Sequence, residues 1–98
     1  MEPGTGIRIA RLLGQIDGLE QKMALVNREI GSLEGAEFAF TELAPSIRKT
    51  LPPEDCEILD GQRRIRNLKI EELHVDLREL SQQRDALMAE FLQLIAKM

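Results

Sequence analysis

Apolar residues recur at alternating spacings of three and four from Ile9 onward: Leu12, Ile16, Leu19, Met23, Val26, Ile30, Leu33, Phe40, Ala44 and Ile47. Glu37 is the polar residue that interrupts the series. This spacing predicts a long helix with one continuous apolar seam that requires a partner. In heptad notation Ile9, Ile16, Met23 and Ile30 are a positions, and Leu12, Leu19, Val26 and Leu33 are d positions. Thr5 suits an N-cap, because its hydroxyl can accept from a free first-turn N–H. Pro45 lacks an N–H and crowds the preceding turn, so the pattern predicts helix one over about residues 6–44. A proline-rich link then covers 45–53. Pro52-Pro53 followed by Glu54, Asp55 and Glu57 reads as a second helix start, since proline fits the first turn and acids complement the N-terminal dipole. Helix two is predicted over about 54–97.

The second seam is regular only in its later half: Ile70, Leu73, Leu77, Leu80, Leu87, Phe91, Leu94 and Met98, with Arg84 interrupting. Ile58, Ile65 and Leu68 fit another phase, which suggests an inserted part-turn near residues 68–70. From residue 86 to the C-terminus the chain is apolar nearly all round, with Met88, Leu92 and Ile95 off the seam. Such a helix is usually covered on more than one face.

Two long helices joined by a short link predict an all-α antiparallel helical hairpin, coiled-coil-like, forming a single domain. A parallel pairing of helix one with its own copy is disfavoured, because Glu29 would face Glu34. Two hairpin registers fit. One sets Ile16 against Leu80 and brings Arg8 near Glu90, Lys22 near Asp76 and Glu29 near Lys69. The other sets Ile16 against Leu87 and Glu37 against Arg66, but brings Glu29 near Asp76. The first has the better flank charges and an earlier turn after Pro45, and is the expected register. Exposed charge pairs separate the two weakly, at about 0.2–1 kcal/mol each. In the first register the apolar tail beyond Phe91 overhangs helix one and needs other cover.

Composition narrows the classes further. The 98 residues suit one small domain whose limited core favours association. With 43% hydrophobic and 31% charged residues and neither Trp nor Tyr, the profile is that of a helical bundle rather than a sheet. A net charge of −4 gives no general attraction to nucleic acid or to an anionic membrane. The lone cysteine, Cys56, excludes an intramolecular disulfide framework and fits a reducing compartment. No signal-peptide pattern and no membrane-spanning run is seen, so the expected location is cytoplasmic.

Candidate chemistry is sparse. His74, the single histidine, lies beside the seam without a nucleophile or acid arranged around it. Cys56 and His74 are too few for a structural zinc site. The acids Glu54, Asp55, Glu57 and Asp60 sit on a helical pattern, not a calcium loop. No phosphate-binding glycine loop or nucleophile elbow occurs. No catalytic, metal or cofactor residue is therefore assigned. Gly14, Gly18, Gly31 and Gly35 form small-xxx-small pairs on the outer face, either a groove for another helix or tolerated surface glycines.

The remaining signals concern partners. Leu12, Leu13, Met88, Phe91, Leu92 and Ile95 gather apolar surface at the terminal end of the hairpin and form the candidate oligomer interface of a dimeric four-helix bundle. Arg63, Arg64, Arg66 and Lys69 form a candidate basic patch near the turn, without aromatics for base stacking. The sequence thus points to a homodimeric module that also binds another protein: an adaptor, chaperone or complex subunit. The alternative is a small regulator that contacts nucleic acid through the arginine cluster.

Overall fold

The computed structural model describes residues 4–98. Two helices account for nearly all of them: α1, Thr5–Thr50, and α2, Pro53–Ala96. Among the described residues there is no strand. Contacts divide the chain into two compact units. One joins the residues up to Val26 with Asp76–Met98, and the other is Asn27–Val75, which contains the turn.

The α1 seam is the predicted one. Leu12, Ile16 and Ile30 are buried, and Ile9, Leu19, Met23, Val26, Leu33, Glu37, Phe40, Ala44 and Ile47 are half-buried. The start of α1 lies one residue earlier than expected. The Gly4 carbonyl accepts the first helical bond, from Arg8 N–H at 3.0 Å. Gly4 therefore holds the cap position, with φ +88°, and Thr5 is the first helical residue.

Pro45 does not end the helix. It lies on an exposed side of α1, where water can serve the Thr41 carbonyl that loses its usual donor. On the opposite side Phe40, Ala44 and Ile47 enclose a small gap with Cys56, Leu59 and Asp60 of α2. That packing carries α1 onward to Thr50, whose hydroxyl bonds the Ser46 carbonyl at 3.1 Å. The predicted link of 45–53 shrinks to Leu51 and Pro52. Pro53 opens α2 as expected, with Asp55 and Cys56 N–H both donating to the Pro52 carbonyl.

The seam of α2 is continuous from its first turn. Cys56, Leu59, Arg63, Arg66, Ile70, Leu77, Leu80, Arg84, Leu87, Phe91 and Leu94 are half-buried and Leu73 is buried, at unbroken spacings of three and four. The expected phase shift near 68–70 is absent. Two arginines occupy seam positions there, while Ile58, Ile65 and Leu68 face away and are exposed.

Within Asn27–Val75 the helices run antiparallel: Glu34 lies beside His74, Glu37 beside Arg66, and Arg48 beside Asp60. This is the second register, not the expected one. In the other unit Leu19 and Lys22 line a shallow groove with Gln83 and Leu87, the same offset. Lys22 and Asp76, paired by sequence in the rejected register, line a neighbouring groove.

The outer glycines Gly31 and Gly35 are exposed. A Cβ built at Gly31 or Gly35 meets no atom within 4 Å. Gly31→Ala and Gly35→Ala should therefore each raise stability by about 0.5–1 kcal/mol through helix propensity alone, as read by urea denaturation. A loss of stability or of assembly would show instead that another helix approaches there.

Candidate functional site

The candidate basic patch is divided by the fold. Arg63 and Arg66 stand on the α2 seam, one helical turn apart, and both reach the Glu37 carboxylate across the pair. Arg63 Nε donates to Glu37 Oε1, and Arg66 Nη1 donates to Oε2 at 3.1 Å. Arg63 also lies over the Phe40 ring, with Cζ 5.7 Å from its centroid. The Glu37 side chain is 18% exposed, that of Arg66 22% and that of Arg63 41%, so the Glu37–Arg66 pair is the more desolvated part of this network. Arg64 and Lys69 remain on the surface, and neither makes an ion pair among the described residues. The four cations do not form one patch.

The remaining polar contacts are peripheral. His74 Nε2 lies 3.6 Å from Glu34 Oε1, both half-exposed, and Arg48 Nη2 donates to Asp60 Oδ1 at 2.9 Å. Cys56 is half-buried among seam residues. Among the described residues no group of three or more His, Cys, Asp or Glu could hold a metal ion. No helix there is long and apolar enough to cross a membrane.

The candidate oligomer residues are also sorted by the fold. Leu12 is buried in the hairpin seam and Phe91 is half-buried there. Leu13, Met88, Leu92 and Ile95 are exposed, within the same unit. Leu13, Met88 and Ile95 each follow the inner seam residue of their turn and edge the seam, and Leu92, four residues after Met88 and three before Ile95, lies one step further round on the same side. A second group was missed by sequence reasoning. Ile58, Ile65, Leu68 and Val75, exposed by 59, 69, 59 and 42%, share one outward stripe of α2. With Gly61 and Glu72 they complete a second series of threes and fours, legible once the α2 seam is set at Cys56, Leu59, Arg63 and Arg66.

Comparison with known proteins gives no match, whether to family models, curated proteins or solved structures.

Two predictions follow from these charges. Glu37→Ala should cost about 1–3 kcal/mol in thermal or urea unfolding, because it leaves two seam guanidiniums without their acceptor. Replacing Glu37, Arg63 and Arg66 together by Leu should leave stability equal or higher but loosen the register, read as mixed cross-links between cysteines placed along α1 and α2. Arg84 differs from these. Among the described residues it reaches only its own helix, to Asp85 Oδ1 at 3.2 Å and Ser81 Oγ at 3.5 Å. Arg84→Leu should therefore be neutral or stabilising by up to about 1 kcal/mol, and a loss of several would reveal a structural charge pair.

Proposed function

We propose that the protein is a non-enzymatic protein–protein interaction module, serving as an adaptor, chaperone or complex subunit. In this reading it self-associates as a homodimer, two hairpins forming a four-helix bundle. The observation that carries it is the exposed edge of Leu13, Met88, Leu92 and Ile95. A hairpin covers one stripe of each helix, and these residues lie beyond it. Apolar surface is worth about 25 cal/mol per Å2 when buried, so several such side chains can drive association of a small protein. A two-fold pair is the commonest closed arrangement. The single half-buried thiol fits a reducing compartment, and we place the protein in the cytoplasm on that ground.

The alternative of a nucleic-acid regulator has less support, because Glu37 engages two of its four cations. Salt separates the two readings. Phosphate contacts weaken steeply with salt, whereas an apolar interface changes little.

Leu92→Glu with Ile95→Glu should convert the dimer to monomer in sedimentation equilibrium, while Arg64→Glu leaves it intact. The wild-type chain sedimenting as a monomer at micromolar concentration would overturn self-association.

A further inference from the structure

We draw no further inference here: the strongest candidate, the exposed apolar stripe of Ile58, Ile65, Leu68 and Val75 on the outer face of α2, is an unpartnered helix face, and nothing in the structure shows what covers it.

Discussion

The charge cluster of Glu37 with Arg63 and Arg66 decides how the two helices align. A heptad seam is nearly periodic, so sliding one helix by seven residues preserves most apolar contacts. The seam charges remove that degeneracy. In the observed register the polar residue of α1 meets the paired arginines of α2. In the register one heptad shorter, Glu37 would face Leu59, and the two arginines would face Ile30 and Leu33. Each charge would then be partly desolvated with no acceptor or donor, which costs more than any gain at the flanks. The cluster does not need to add net stability to do this. It acts by making the alternatives worse, as a polar layer does in a coiled coil.

The same cluster explains what the sequence revealed and what it hid. The α1 seam was legible residue by residue, because eleven apolar positions and one acid carry its period. The start of α2 was not, because Arg63 and Arg66 occupy the seam while Ile58, Ile65 and Leu68 lie outside it. A template that counts only apolar residues follows the wrong face there. The informative signal was joint: an acid in one seam and two arginines a turn apart in the other. Flank pairs such as Glu29 with Lys69 point to the other register. Yet exposed pairs contribute little, and a seam charge is the more desolvated group. The missing donor of Pro45 predicts a stop, but the packing of Ala44 and Ile47 against α2 carries the helix through it.

The error in register spread to the candidate site. In the shorter register the residues after Phe91 overhang helix one, which leaves the terminal end of the hairpin without cover. In the observed register Phe91 and Leu12 fill the hairpin seam, and the free apolar surface is the edge formed by Leu13, Met88, Leu92 and Ile95. The basic patch dissolved for a related reason. Sequence adjacency places Arg63, Arg64 and Arg66 together, but a helix turns about 100° per residue, so adjacent cations leave on different sides.

A two-helix arrangement also limits how much it can bury. Each seam residue has a neighbouring helix on one side and solvent on the others. Accordingly Leu12, Ile16, Ile30 and Leu73 are the buried hydrophobic residues among those described, and most of both seams is only half-covered. Small domains that cannot enclose a core gain stability by association. The two exposed apolar series differ in what they can accept. The edge at Leu13, Met88, Leu92 and Ile95 borders the half-covered seam, so a second hairpin laid against it would also shield seam residues. The stripe from Ile58 to Val75 lies on the outer face of α2, away from the seam, so covering it shields no seam residue.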